Sequence, residues 1–172
     1  MLLDCVDREE SEMLTRLLPE QISKLWPVIK YAIEQSVPPT TTEKPDKMNR
    51  ILSSALCGKM DVWASYAKGD ENKFEGLVVT EFLFNEADGT KNLLLYSMYG
   101  YNAVEHRRTY IEGLITLMKY AKEKGCSKIV AYTIDSGVVA LAKRIGADTS
   151  YTLINFEVDK FVKNLNDLTG GK

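Results

Sequence analysis

The sequence has one histidine, three cysteines and no long apolar run. Cys5, Cys57 and Cys126 lie far apart, so no pair has the close spacing of a metal site, and an odd number of thiols favours reduced cysteines. A single histidine, His106, with no marked nucleophile beside it does not indicate a serine or cysteine hydrolase. No apolar run reaches about 18 residues, so no membrane span is expected.

Neither sign of charge is in excess. The chain has 22 basic and 24 acidic residues, a formal charge of −2 and a pI of about 5.6. A nucleic-acid partner usually requires a basic face, and only two short basic pairs occur, Arg107-Arg108 and Lys143-Arg144. The first residues are too few and too acidic for a secretory signal. We therefore expect a globular cytoplasmic protein with neither a nucleic-acid nor a membrane partner.

What is present is enough apolar sequence, 45% of 172 residues, to fill the core of one domain. Helical spacing of apolar residues predicts helices over 18–33, between Pro45 and Gly58, over 108–124 and over 136–145. Pro27 predicts a kink or two short helices in the first of these. Alternating or β-branched runs predict strands over 2–6, 61–67, 73–85, 92–101, 128–133 and 150–158.

The residues between these segments predict loops, turns and helix ends. Residues 36–44 carry two prolines and three consecutive threonines and are predicted to form a loop. Asp88-Gly89 predicts a turn between two strands. Gly125 fits the end of a helix, and Asp135 or Ser136 fits the start of the next one.

The resulting order is β-α-α-β-β-β-α-β-α-β. Three consecutive strands form an antiparallel meander, and a strand–helix–strand crossover then adds a parallel neighbour. This predicts an α/β fold with a mixed, mostly antiparallel sheet and helices on both faces. The predicted domain covers residues 1–158, and residues 159–172 form a C-terminal tail.

The stretch from 92 to 158, with its strand–helix–strand–helix–strand order and Gly146, resembles the core of the GNAT (N-acetyltransferase-like) superfamily. In that family a signature R/Q-x-x-G-x-G/A before the third helix holds the pyrophosphate of acetyl-CoA. Here the signature falls on 107–112: the arginine matches, while Tyr110 and Glu112 replace the glycines. The resemblance implies that acetyl-CoA, if bound, contacts Met98, Tyr99, Arg107, Arg108, Thr109 and Tyr110.

The resemblance also suggests catalytic candidates. Glu81, on a strand among apolar residues, is placed to deprotonate an amine, or it is a solvent-facing strand residue. His106 is a candidate general base or an exposed loop residue. Tyr96, Tyr99 and Tyr101 line a pocket at the strand end or pack in the core. Ala142 stands where many family members carry the tyrosine that protonates the leaving thiolate.

Two interpretations of function remain. The lost glycines, Glu112 and Ala142 favour a non-catalytic structural or interaction protein. The segment 17–36 with 57–66 resembles GNAT-like proteins encoded by tailed bacteriophages, which implies a phage particle or assembly component in the host cytoplasm or virion. Its partner would be a second copy of itself or a phage structural protein. The alternative is an acetyl-CoA-dependent N-acyltransferase acting on an amine.

Overall fold

The structure, a computed structural model, describes residues 14–67, 70–100, 107–160 and 162. The chain divides into two compact units. The larger contains residues up to 38 and 42–132, and the smaller contains residues 39–41 and those from 133 onwards. The predicted first strand at 2–6 and most of the predicted tail lie outside the described residues, and the domain boundary at 158 stays a prediction.

Nine elements follow one another along the described chain. They are β1 (Thr15–Arg16), α1 (Pro19–Glu34), α2 (Lys47–Leu56), β2 (Met60–Ala67), β3 (Asp70–Asn85), β4 (Thr90–Gly100), α3 (Arg107–Glu123), β5 (Lys128–Ala131) and α4 (Ser136–Arg144). The larger unit holds one five-stranded sheet in the order β1-β2-β3-β4-β5. The pairs β1–β2, β2–β3 and β3–β4 are antiparallel, and β4–β5 is parallel. The predicted meander and the crossover through α3 are confirmed.

Alternation along the central strands divides their side chains between two layers. Val62 and Val79 belong to the buried cluster that contains Ile29 and Ile33 of α1. Trp63, the residue after Val62 on β2, belongs instead to the cluster that contains Leu117 of α3. Because successive residues of a strand point to opposite faces, α1 and α2 cover one face and α3 the other. We name these the α1/α2 face and the α3 face; the predicted helices on both faces are confirmed.

Helix α1 runs without interruption through Pro27, so the two-helix alternative is wrong. Pro27 removes one backbone donor and crowds the preceding turn, which normally ends or bends a helix. Here Ile22, Ile29 and Ile33 are each at most 2% exposed. Full burial of such side chains contributes about 1.5–3 kcal/mol each, which outweighs the local cost of one proline.

The hairpin between β3 and β4 is built as the sequence predicts. Asp88 Oδ1 accepts hydrogen bonds from the backbone N of Thr90 at 2.9 Å and from its Oγ1 at 2.7 Å. Gly89 has φ of +69°, a conformation that costs little only without a Cβ. The turn fixes the register in which β3 and β4 pair.

In the smaller unit Asp135 caps α4, as predicted: its Oδ1 accepts from the backbone N of Gly137 at 2.7 Å and of Val138 at 3.1 Å. The strand predicted over 150–158 is wrong, because none of these residues is in a strand. Tyr151, Ile154 and Phe156 are 83%, 72% and 65% exposed. An alternating pattern forms a strand only beside a partner, and the described part of this unit contains no other strand.

Candidate functional site

The two parallel strands of the sheet, β4 and β5, diverge at one end. We name the opening between them, beside residues 96–100 of β4, the fork. The β4–β5 ladder runs from Asn92↔Lys128 to Leu95↔Ala131 and stops there. β4 continues to Gly100, where it still pairs with Gly76 of β3. Among the described residues, the β5 side of the segment from Tyr96 to Gly100 therefore carries no strand partner. The two strands are therefore paired over only part of the length of β4.

A β-bulge lies where the fork begins. Thr80 pairs with Leu95 and Val79 with Ser97, so Tyr96 is the extra residue between them. A bulge bends its strand and increases the local twist, which turns the end of β4 away from a neighbouring strand. The bulge therefore accounts for the end of the β4–β5 ladder at Leu95.

Hydrogen bonds fix the bulge to the end of α1. The Oγ atoms of Ser97 and Ser36 are 2.6 Å apart, and Ser36 Oγ also donates to the carbonyl O of Ala32 at 2.7 Å. Since a hydroxyl has one proton, Ser97 is the donor to Ser36. Ser97 is 1% exposed, so this chain of bonds is shielded from water. It holds the start of the predicted loop 36–44 beside the fork.

Glu81 lies on β3 across from Leu94, just before the bulge. Its side chain is half-buried, and burial raises the pKa of its carboxyl group. Burial also raises the pKa of the Tyr96 phenol, and the negative charge of Glu81 adds to this rise. Glu81 and Tyr96 thus affect each other electrostatically. A carboxylate with a raised pKa holds a proton more readily, as a general base must.

The two residues predicted at the end of β4 face opposite layers. Tyr99 packs against the α1/α2 core, with its ring 5.9 Å from that of Tyr31 at an interplanar angle of 87°. A hydrogen bond with Tyr31, and then burial, raises the pKa of Tyr99. Met98 packs on the α3 face near Trp63. What Met98 and Tyr99 both present to the fork is their backbone. Tyr101 lies outside the described residues.

The residues of the predicted phosphate signature are already helical. α3 begins at Arg107, so Arg108, Thr109 and Tyr110 form its first turn and Glu112 belongs to the second. The first four N–H groups of a helix have no partner within it and attract anions. Glu112 lies about 7 Å along the axis from Arg107, at 1.5 Å per residue. Tyr110 is 39% exposed. His106 lies outside the described residues.

Sequence reasoning missed several polar contacts of the larger unit. Tyr31 and Ser36 were not singled out, nor was the bond from the Tyr120 hydroxyl to Asp61 Oδ2 at 2.5 Å. The Ser36–Ser97 and Asp61–Tyr120 pairs are 61 and 59 residues apart in the chain. No local pattern carries such information; only the strand register and the helix packing bring these side chains together.

Comparison with known proteins gives a fold but no sequence relative. No protein-family model matches the chain, and no curated protein matches it significantly in sequence. Among solved structures, a ribosomal-protein-alanine N-acetyltransferase from Brucella melitensis biovar Abortus 2308 matches with a TM-score of 0.60 at 12% identity, over 84% of this chain and 98% of that one.

Two further structures match similarly at 14% identity. An aminoglycoside acetyltransferase from an uncultured soil metagenomic sample, in complex with sisomicin, has a TM-score of 0.63 over 84% of this chain and 93% of its own. A predicted acetyltransferase with acetyl-CoA from Clostridium acetobutylicum has a TM-score of 0.63 over 85% and 96%. The chain therefore has the fold of GNAT acetyltransferases.

These comparisons bear unequally on the two interpretations of function. The matched proteins are acetyltransferases, and at 12–14% identity they show the fold of this chain. They give no support to a phage particle or assembly role. Within the described residues, no helix is long and apolar enough to cross a membrane.

Proposed function

We propose that the protein is an acetyl-CoA-dependent N-acyltransferase that acts on an amine. The observation that carries this proposal is the fork between β4 and β5, which opens at the Tyr96 bulge beside Glu81. A slot of this kind suits a long, thin acyl donor, which can lie between the diverging strands. The acetyl-CoA recorded with a protein of the same fold is consistent with this assignment.

The anionic end of the donor would lie at the start of α3. The backbone N–H groups at the start of α3 and the helix dipole favour a diphosphate there. These donors belong to the backbone, so they do not depend on the glycines that Tyr110 and Glu112 replace. Glu112 lies in the second turn, which removes much of the repulsion that the sequence suggested.

In the proposed reaction, the amine nitrogen attacks the thioester carbonyl carbon, a C–N bond forms and the C–S bond breaks. Glu81 accepts the proton that the amine loses. Its raised pKa, caused by burial, suits a base that must take this proton near neutral pH. Tyr96 carries the hydroxyl beside the fork that can protonate the leaving thiolate.

The first test is calorimetric titration of the purified chain with acetyl-CoA, with Glu81→Gln and Glu86→Gln compared. Glu86 is exposed in the turn between β3 and β4, so it is a matched control for the change of charge. Saturable binding by all three, on the order of micromolar, is expected, because the change at Glu81 leaves the β4 backbone intact.

Release of free thiol from acetyl-CoA is then followed with sisomicin, spermidine and a peptide with an N-terminal alanine as acceptors. With an accepted amine, Glu81→Gln should lower kcat by about 10²-fold or more, as for the loss of a general base. It should also abolish the acidic limb of the pH–rate profile, which Glu86→Gln retains. Absence of acetyl-CoA binding at millimolar concentration would refute the proposal. It would favour the interpretation as a non-catalytic interaction domain.

A further inference from the structure

A second cavity lies at the opposite end of the larger unit, where β2 and β4 begin and α3 ends. Its volume is about 580 Å³, and its wall includes the first turn of α1, the last turn of α2 and the start of β2. This volume is within the usual range of about 300–1,000 Å³ for small-molecule sites. We name it the basic pocket, after its charged lining residues Arg16, Lys91 and Lys124, which face a single carboxylate, Asp61.

The positive charge of the basic pocket is only partly compensated. Asp61 is already engaged by Arg16, at 3.5 Å, and by the Tyr120 hydroxyl, at 2.5 Å. Among the described carboxylates none forms an ion pair with Lys91 or Lys124. The whole chain has a net charge of −2, so this local excess of positive charge does not follow from the composition.

Aromatic rings hold these cations in place. The rings of Phe82 and Tyr120 stack with centroids 6.1 Å apart. Lys91 Nζ lies 4.0 Å from the Phe82 centroid and donates to the carbonyl O of Lys124 at 3.0 Å. Lys124 Nζ and Arg16 Cζ lie 5.6 and 5.9 Å from the Tyr120 centroid. Cations fixed over rings lose less freedom when a ligand binds, so the charges are organised in advance.

We propose that the basic pocket binds a small organic anion in which a phosphate or carboxylate is joined to an apolar body. Lys91 and Lys124 supply point charges for the anionic group. Ile22, Leu56 and Met60 supply an apolar wall for the body. An inorganic ion would use only the first of these features, and a neutral apolar molecule only the second.

This site is separate from the fork. Its lining contains neither Glu81 nor any residue of the 96–100 segment, although Met60 and Phe82 of the lining adjoin Glu81 along the sheet. The inference therefore does not depend on the proposed acyltransferase activity, and either can fail without the other.

The test uses phenyl phosphate as the probe, with inorganic phosphate and benzyl alcohol as its two halves. Calorimetry is performed on the full chain, on Lys91→Gln/Lys124→Gln and on the control Lys119→Gln/Lys122→Gln. The control removes the same charge from exposed positions of α3 outside the pocket. We expect saturable binding of phenyl phosphate that the first double variant weakens about tenfold or more and the control leaves within about twofold. Each half should bind more weakly than the whole.

The position of the bound probe is read from two thiols. Cys57 is exposed and lines the basic pocket, whereas Cys126 lies outside its lining. Phenyl phosphate should slow alkylation of Cys57 by iodoacetamide, measured by mass spectrometry, and leave Cys126 unaffected. Equal weakening in both double variants, unchanged Cys57 alkylation at saturation, or no saturable binding at about 10 mM would each overturn the proposal. Thermal melting of each variant confirms that it is folded.

Discussion

Replacement of Tyr120 by Phe isolates one hydrogen bond that links α3 to β2. The Tyr120 hydroxyl donates to Asp61 Oδ2 at 2.5 Å. A phenylalanine keeps the ring, so the contacts with Trp63, at 4.9 Å, and with Phe82 persist. Asp61 also keeps Arg16 at 3.5 Å, so the substitution leaves no isolated charge. The measured change therefore reports the hydroxyl alone.

The magnitude follows from the charge of the acceptor and its burial. A hydrogen bond to a charged group contributes about 1.5–3 kcal/mol, and the 18% exposure of Asp61 favours the lower half of this range. Burial, followed by the bond to Asp61, raises the pKa of Tyr120 from 10.0 to about 12. Because burial is the larger cause, this rise reports the cost of forming the phenolate, which acts at high pH, and not the strength of the hydrogen bond at neutral pH. We expect Tyr120→Phe to cost about 1.5 kcal/mol at neutral pH.

The same substitution has a defined pH dependence. The folded state raises the pKa of Tyr120, so it favours the neutral phenol over the phenolate. The stability that this provides is fully present below the unfolded pKa of about 10 and is lost as the pH rises through the folded value of about 12. The difference in stability between the parent chain and Tyr120→Phe should therefore shrink across this interval.

Urea denaturation, followed by tryptophan fluorescence at about pH 8 and about pH 11.5, measures the free energy of unfolding of both chains. Tyr151→Phe is the matched control, because Tyr151 is 83% exposed and loses the same atom. It should change stability by less than about 0.5 kcal/mol at either pH. A cost for Tyr120→Phe below that limit at pH 8, or a difference that grows with pH, would refute the assigned hydrogen bond.

Two further substitutions, one in each unit, test the core of the larger unit and the cap of α4. Leu77→Ala, at a position 1% exposed in the α1/α2 core, should lower the free energy of unfolding by about 2–5 kcal/mol in urea, whereas Leu153→Ala, at 47% exposure, should cost under about 1 kcal/mol. Similar costs would contradict the assigned core. Asp135→Ala removes the cap of α4 and should weaken that helix by about 1 kcal/mol, seen as faster amide exchange over Ser136–Arg144 with α3 unchanged.

The order of elements from α1 to β5 could be predicted because each signal is local, whereas the two-residue strand β1 at Thr15–Arg16 was not predicted. The Asp88-Gly89 turn, the apolar stripe of α3 and the alternation of β2 each depend on residues close together in the chain. The segment 150–158 has an equally clear alternation, yet it forms no strand. Alternation states which side chains prefer burial, whereas a strand needs a partner whose position is set elsewhere in the fold. Local patterns therefore predict the elements better than they predict their pairing.

For the same reason, only part of the candidate site could be predicted from the sequence. Glu81 could be singled out because it is an acid within an apolar run. The bulge at Tyr96 could not, because the run 92–101 reads as one continuous apolar strand. Only the register of β4 against β3, with Thr80↔Leu95 followed by Val79↔Ser97, shows the extra residue. The fork, which organises the site, is a property of pairing and leaves no signature in residue type.

The phosphate signature shows how a motif can mislead when its backbone context is assumed. Placing Tyr110 and Glu112 at glycine positions treats 107–112 as a loop that must approach a diphosphate closely. In the structure these residues are helical from Arg107, so the donors in question are backbone N–H groups at the start of a helix. Such donors are present with any side chain except proline. The missing glycines therefore argue against the usual loop geometry, but they do not argue against an anion at the start of α3.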